Sequence, residues 1–335
     1  MATEFEVLAA KETAVQRYFT RAINKFGAFA ASSVPEINVV GVGVGMKTRR
    51  GVETGFLSVR FYVERKLPAK AIAEDALLPT EIGGIPTDVV ETGVFQRLPN
   101  AGVAPALATP NQQKFRPAEP GCSCGFRFPP GTNLVMAGTL GAIVSDVSGQ
   151  YILSNNHVLA DEGKIAIGSP IFQPGLLDGG NVATDMIARL SQFVPISTTA
   201  MNHVDCAIAK VTSPDIVSPV FLPSVGKLSS NNVFAPSVNL KVMKTGRTTG
   251  FTTGVITDIH ATVKVQYDAG VCQFDEQILI VGDAGSFSAA GDSGSLIVAS
   301  ETKQGTGLLF AGSASHTIAN RLDAVLAALG VGLVV

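Results

Sequence analysis

Ser293 stands in the run AAGDSGSLIV, residues 289–298, between an aspartate and a glycine. A serine hydroxyl becomes a nucleophile only when a base takes its proton, and the base works only when a third group holds its ring in one tautomer. Taken alone, GDSG is also the composition of a turn, because Gly, Asp and Ser are ordinary turn residues. The chain has four histidines, His157, His203, His260 and His316. His157 lies in YILSNNHVLA, where a strand-like run passes into a short helical turn. That junction can hold an imidazole rigidly, although a lone histidine is equally at home in a structural role. Asp205, in NHVDCAIAKV, is a carboxylate at the head of an alternating apolar run. A carboxylate there is part-buried and needs a partner, unless it is a turn aspartate or helix cap. Together His157, Asp205 and Ser293 comprise a base, its orienting group and a nucleophile.

These three need a scaffold that brings distant segments together. From residue 133 onward short β-rich runs alternate with turns: AGTLGAIVSD, KIAIGSPIF, VDCAIAKV, NLKVMKTG, TGVITDIHATVKVQY, EQILIV, GSLIVAS and GLLFAGSAS. Such spacing predicts barrels or a sandwich, and only ANRLDAVLAAL near the end has a helical period. Upstream, residues 4–27 read as an amphipathic helix ending at Gly27. NVVGVGVGM is predicted as a strand with glycines where another backbone comes close; Met46 occupies the place a dinucleotide-binding fingerprint reserves for glycine. LSVRFYVER and IPTDVVETG read as strands, with a short helix around 70–78 between them. Residues 1–95 are therefore expected to form a small α+β domain. The Pro/Gly-rich stretch 96–132 is expected to be a linker or an arm draped over its neighbour, and 133–335 the main β domain.

LSNNHVLA, VDCAIAKV and GDSGSLIV resemble the three catalytic blocks of chymotrypsin-like (trypsin-fold) serine peptidases, in the order His, Asp, Ser that this family uses. KTGRTTGFTTGVI, residues 244–256, is similar to a bacterial trypsin-like branch with an N-terminal extension, which itself resembles the plant narrow-leaf protein. The resemblance covers residues 133–335, and NVVGVGVGMK with GGIPTDVVETG resembles the extension. It implies a mainly β, chymotrypsin-like double β-barrel with a C-terminal helix, preceded by the small α+β domain. It also implies serine endopeptidase activity through His157, Asp205 and Ser293, with the backbone N–H groups of Gly291 and Ser293 as oxyanion hole.

The resemblance places Phe287 at the base of the primary substrate pocket, where a basic side chain would find no counter-ion. The pocket wall should be LLFAGSAS, with His316 just beyond. His316 with Ser313 or Ser315 would suit an acidic side chain; a small apolar residue is the alternative. Arg247 in GRTTG is either a barrel-corner residue or a substrate contact, and Arg321 stands where the family's link to its last helix has proline. The β domain begins in mid-chain without an I-V-G-G-like cleavage sequence, so activation by a freed N-terminus is not expected, and the N-terminal domain is expected to cover the cleft or build a homo-oligomer.

Composition bounds the alternatives. The chain has 335 residues, 46% hydrophobic and 16% charged, with 35 glycines and 18 prolines, which fits a large folded core with many turns. A net charge of −2 points to neither nucleic acid nor an anionic membrane. MATEFEVLAAKETAVQRYF is charged throughout, unlike a signal or transit peptide, and no apolar run approaches the roughly 18 residues of a spanning helix. A cytoplasmic protein acting on a protein or peptide substrate is expected. Cys206 and Cys272 read as buried thiols, and the Cys122/Cys124 pair lacks further ligands, so no metal and no cofactor are expected. The competing reading is a latent or self-cleaving peptidase-fold protein that serves as a binding or scaffold module.

Overall fold

The computed structural model describes residues 2–19, 38–98, 109–132, 134–221 and 225–335. The N-terminal helix α1 (Glu4–Ala14) starts at a capping box in which Thr3 and Glu6 bond reciprocally, and a wide helical turn over Val15–Phe19 follows it. Of the helix expected over residues 4–27, residues 4–19 are helical, and residues 20–27 lie outside the described residues. Four strands come next: β1 (Val39–Arg49), β2 (Val52–Val63), β3 (Glu81–Ile82) and β4 (Ile85–Glu91). The helix expected around 70–78 is replaced by two single 3-10 turns, Ala69–Ala71 and Glu74–Ala76. The run between Pro68 and Pro79 is short and largely exposed, so it has little to bury in return for helical order.

The rest of the chain is β5 (Phe95–Arg97), β6 (Ser123–Phe126), β7 (Gly138–Thr139), β8 (Ala142–Asp146), β9 (Gly149–Ser154), the short helix α2 (Asn156–Leu159), β10 (Pro170–Phe172), β11 (Met186–Phe193) and β12 (Ala207–Val211). Then follow β13 (Lys241–Gly246), β14 (Gly250–Tyr267), β15 (Gly270–Gly282), β16 (Leu296–Ala299), β17 (Gly305–Gly312), β18 (Thr317–Arg321), α3 (Leu322–Leu329) and β19 (Gly332–Leu333). The protein is mainly β with a C-terminal helix, as expected. One sheet runs β19-β8-β9-β12-β11-β10-β6-β7. In the other, β13-β16-β17-β18-β15-β14 closes on itself, because β14 also pairs with β13. β6 lies in the stretch read from sequence as an arm, yet it is a fully buried strand of the first sheet, paired with β10 and β7.

The N-terminal strands extend the second sheet. β1 lies antiparallel to β14, with Gly41 opposite Val263, and β2 and β4 continue outward. The glycines of GVGVG answer to this packing. A Cβ on Gly43 would fall 2.0 Å from the Tyr62 hydroxyl, and one on Gly41 would fall 2.8 Å from the Thr262 carbonyl oxygen. α1 caps this face, burying Val7, Ala10 and Ala14 with Val42, Val59 and Phe61. Among the described residues no helix is long and apolar enough to cross a membrane. All four cysteines are free and buried, and burial raises their thiol pKa values, that of Cys122 to about 12.

Candidate active site

His157 and Asp205 meet where the two halves of the main β domain face each other. β9 ends at Ser154 and turns into α2, which carries His157; Asp205 lies just ahead of β12, whose register against β9 puts Ala207 opposite Ser154. The pairing brings Asp205 Oδ2 to 2.5 Å from His157 Nδ1, while Oδ1 accepts the His157 backbone N–H at 3.3 Å. Both residues are buried, at 2% and 0% exposure. Tyr267 Oη donates to the same Oδ2 at 2.6 Å. Burial alone would raise the Asp205 carboxyl. The charge and hydrogen bonds of His157, with that of Tyr267, outweigh burial and hold it below the usual carboxylate value. Two asparagines fix the Asp205 backbone: Asn155 Nδ2 donates to its carbonyl at 2.7 Å, and Asn320 Oδ1 accepts its N–H at 3.0 Å.

The turn bearing Ser293 is fastened from several sides. Gly291 and Gly294 adopt φ of +96° and +93°, values that side-chain-bearing residues rarely take. A Cβ on Gly294 would also fall 2.1 Å from Ser154 Oγ. Thr139 donates its backbone N–H to Ser293 O at 2.8 Å and its hydroxyl to Gly291 O at 2.9 Å. Asp292 is fully buried and accepts from the backbone N–H groups of Thr248, Thr249 and Ala289 and from Thr249 Oγ1. Lys244, equally buried, lies 3.5 Å from Asp292 Oδ2. The run KTGRTTG is therefore the cradle of the aspartate beside Ser293, and the chain supplies that aspartate's cation internally.

Ser293 Oγ lies within donating distance of the carbonyl oxygens of Leu98, at 3.3 Å, and Phe310, at 3.4 Å. His157 Nε2 has no hydrogen-bond partner among the described residues. The structure thus joins His157 to Asp205 and leaves Ser293 bonded elsewhere. Gly291 N–H donates to the same Leu98 oxygen at 3.4 Å. Leu98 packs against an apolar cluster that includes Val242, Ile280, Leu309 and Phe287, the last only 2% exposed.

Ser313, Ser315 and His316 share one turn after β17 and bond chiefly to one another. Ser315 Oγ meets His316 Nδ1 at 2.8 Å, and Ser313 Oγ accepts the His316 N–H at 3.3 Å. Burial, with the nearby Arg60 charge, pushes His316 down to about 4, so its ring is neutral at pH 7. Arg247 is fully buried and pairs with Asp178 through two nitrogens, Nε to Oδ2 at 2.6 Å and Nη2 to Oδ1 at 2.5 Å, tying the second sheet to the first. Arg321 stands at the N-cap of α3 and pairs with Asp323 at 2.7 Å.

Sequence reasoning missed Tyr267, Lys244, Asn155, Asn320 and Leu98. Tyr267 ends the alternating run VKVQY and carries no local mark of a carboxylate partner 62 residues away. Lys244 had one usable signal, a lysine directly after the apolar pair Val242 and Met243.

Residues 222–323 match the family model of the Nal1 C-terminal domain, a span that includes Ser293 but neither His157 nor Asp205. The chain is similar to Protein NARROW LEAF 1 of Oryza sativa subsp. japonica, 27% identical over 323 residues, covering 83% of this chain and 52% of that protein. The chain thus spans about half the length of the curated relative it matches. Among solved structures it is similar to Thermobifida fusca Protease A, with 16% identity and a TM-score of 0.46 over 64% of this chain and 97% of that one. It is also similar to a glutamic acid-specific serine protease that uses a histidine triad in substrate binding, with 19% identity and a TM-score of 0.45 over 65% and 100%. The chymotrypsin of Cellulomonas bogoriensis is similar at 17% identity, with a TM-score of 0.43 over 65% and 98%.

Proposed function

We propose that the chain is a serine endopeptidase in which Ser293, His157 and Asp205 hydrolyse peptide bonds through an acyl-enzyme. The observation that carries this reading is a carbonyl oxygen, that of Leu98, lying within 3.4 Å of both Ser293 Oγ and the Gly291 N–H, beside a buried His157–Asp205 pair. For reaction, Ser293 Oγ turns from the carbonyls to the unpartnered His157 Nε2. As Oγ bonds to the substrate carbon, its proton passes to Nε2, and the oxygen that becomes negative is met by the N–H groups of Gly291 and Ser293. Asp205 keeps Nδ1 protonated and stabilises the imidazolium, and Tyr267 steadies the carboxylate. The same imidazolium then protonates the leaving nitrogen. Water, deprotonated by His157, releases the acid and restores Ser293.

The primary pocket in this reading is the apolar cluster around Phe287, which suits an uncharged side chain. The turn of Ser313, Ser315 and His316, which bond chiefly to one another, is the alternative seat, for an acidic side chain. The test is hydrolysis of peptides that vary the residue before the scissile bond, by the wild type and by Ser293→Ala and His157→Ala. Cleavage that both substitutions abolish supports the reading; cleavage that survives either refutes it. A second reading, a latent protein that uses this groove only to bind, is favoured by Ser293 Oγ lying toward carbonyls rather than His157. Folded protein that binds peptide but never cleaves it, in the wild type and equally in a Leu98→Asp chain, would establish it.

A further inference from the structure

β5 is three residues long and comes from the segment between the N-terminal strands and the main β domain. It lies antiparallel to β17, with Arg97 opposite Ala311 and Gln96 opposite Gly312, and parallel to β14 on its other edge. Directly after it comes Leu98, whose carbonyl oxygen meets Ser293 Oγ and the Gly291 N–H. An extended peptide that adds to a sheet edge uses its backbone for affinity and its alternating side chains for specificity. β5 has this form. Leu98 enters the apolar cluster of Phe287, and Gln96 is exposed. On the opposite face Phe95 is fully buried with Phe274 and Phe310, and Arg97 pairs with Glu162 at 3.0 Å and with Asp268. Phe95, Arg97 and Leu98 each have a seat while Gln96 faces outward, and the strand ends with its carbonyl at the serine.

We infer that residues 95–98 are a built-in occupant of the substrate groove, seated as the strand on the acyl side of a scissile bond. The groove therefore takes extended peptides with a leucine-sized apolar residue before that bond, a basic residue next and an aromatic residue three positions upstream. It is closed to them until β5 is lifted out. The chemistry rests on the peptidase reading; the occupancy does not. The chain also explains why its own strand would persist. Leu98 is joined to Pro99 in the sequence, so the leaving nitrogen carries a ring carbon where other residues carry N–H, crowding the atom His157 has to protonate.

The test uses the full chain as wild type, as Leu98→Asp, and as Arg97→Ala/Leu98→Gly, with thermal unfolding to show that each is folded. Two readouts run in parallel. One is fluorescence anisotropy of a labelled Phe-Gln-Arg-Leu carboxamide on the Ser293→Ala background; the other is the rate of fluorophosphonate labelling with Ser293 intact. A tethered strand competes at an effective concentration on the order of millimolar, so the folded variants should bind the peptide at least about tenfold tighter than wild type. Labelling should accelerate by a similar factor. Tighter peptide binding without labelling supports the occupancy and counts against the peptidase reading. Equal peptide binding by wild type and folded variants overturns the occupancy, and labelling at equal rates in all would leave the peptidase reading standing. A carboxamide ending in Glu that binds as well as the one ending in Leu overturns the proposed specificity.

Discussion

Replacing Asp205 by asparagine keeps the shape of the side chain and changes one oxygen into an NH2 group. Oδ2 accepts the two shortest bonds of the site, from His157 Nδ1 at 2.5 Å and Tyr267 Oη at 2.6 Å, while Oδ1 holds only the His157 backbone N–H at 3.3 Å. With the amide nitrogen in the place of Oδ2, it donates to both Nδ1 and the tyrosine oxygen. His157 then carries its proton on Nε2 and has no lone pair for the Ser293 proton. With the amide reversed, the tautomer survives but NH2 faces the buried His157 N–H, leaving a donor unsatisfied at about 1–3 kcal/mol. The first arrangement is the stabler one, and in either the imidazolium loses its counter-charge. If the proposed peptidase reading holds, kcat should fall about 10⁴-fold, the loss this substitution causes in a Ser-His-Asp triad, or about 5.4 kcal/mol at 1.36 kcal/mol per tenfold. The assay is hydrolysis of a peptide with leucine before the scissile bond, comparing Leu98→Asp with Leu98→Asp/Asp205→Asn. A loss of less than tenfold in a folded protein would refute the reasoning, because Asp205 would then not govern the tautomer.

Lys244→Met leaves the buried Asp292 with its hydrogen bonds but no cation, and should cost about 3 kcal/mol. For 335 residues a drop of about 4 °C in Tm is expected; a change under about 1 °C would show that the pair is dispensable. Gly294→Ala meets both a φ of +93° and the Ser154 hydroxyl. It should destabilise by at least about 2 kcal/mol in denaturant unfolding, and an unchanged midpoint would contradict the geometry. Lys264 is pushed down to about 8 by burial. Between that pH and the normal lysine value the unfolded chain binds more protons than the folded one, so stability from this residue rises with pH across the window. Lys264→Met should therefore raise Tm more at pH 7 than at pH 10; an equal gain at both would sink the idea.

Of the candidate site, the pairing of His157 with Asp205 was expected from the chain, whereas the contacts of Ser293 with the Leu98 and Phe310 carbonyls were not. His157 at a strand–helix junction, Asp205 at the head of an apolar strand and Ser293 among glycines each carry a mark that composition and periodicity expose. The glycines of β1 were legible for the same reason, since a strand interior gives up side chains only where something else needs the space. What stayed hidden depends on long-range registry. β5 and β6 are three and four residues long, too short for alternation to show, and they sit in a Pro/Gly-rich stretch that composition alone assigns to a linker. Tyr267 acquires its role only because the β14 strand delivers it beside Asp205. The stretch 70–78 has helix-forming residues but no face to bury, and tertiary context left it as isolated turns.

Ser293 is proposed to be an activated nucleophile behind a removable strand. Peptide mapping after fluorophosphonate treatment of the folded Leu98→Asp chain tests it most directly. The adduct should lie on Ser293 and disappear when Ser293→Ala or His157→Ala is added. No adduct on a folded chain with the strand displaced, or an adduct that persists without His157, would contradict it.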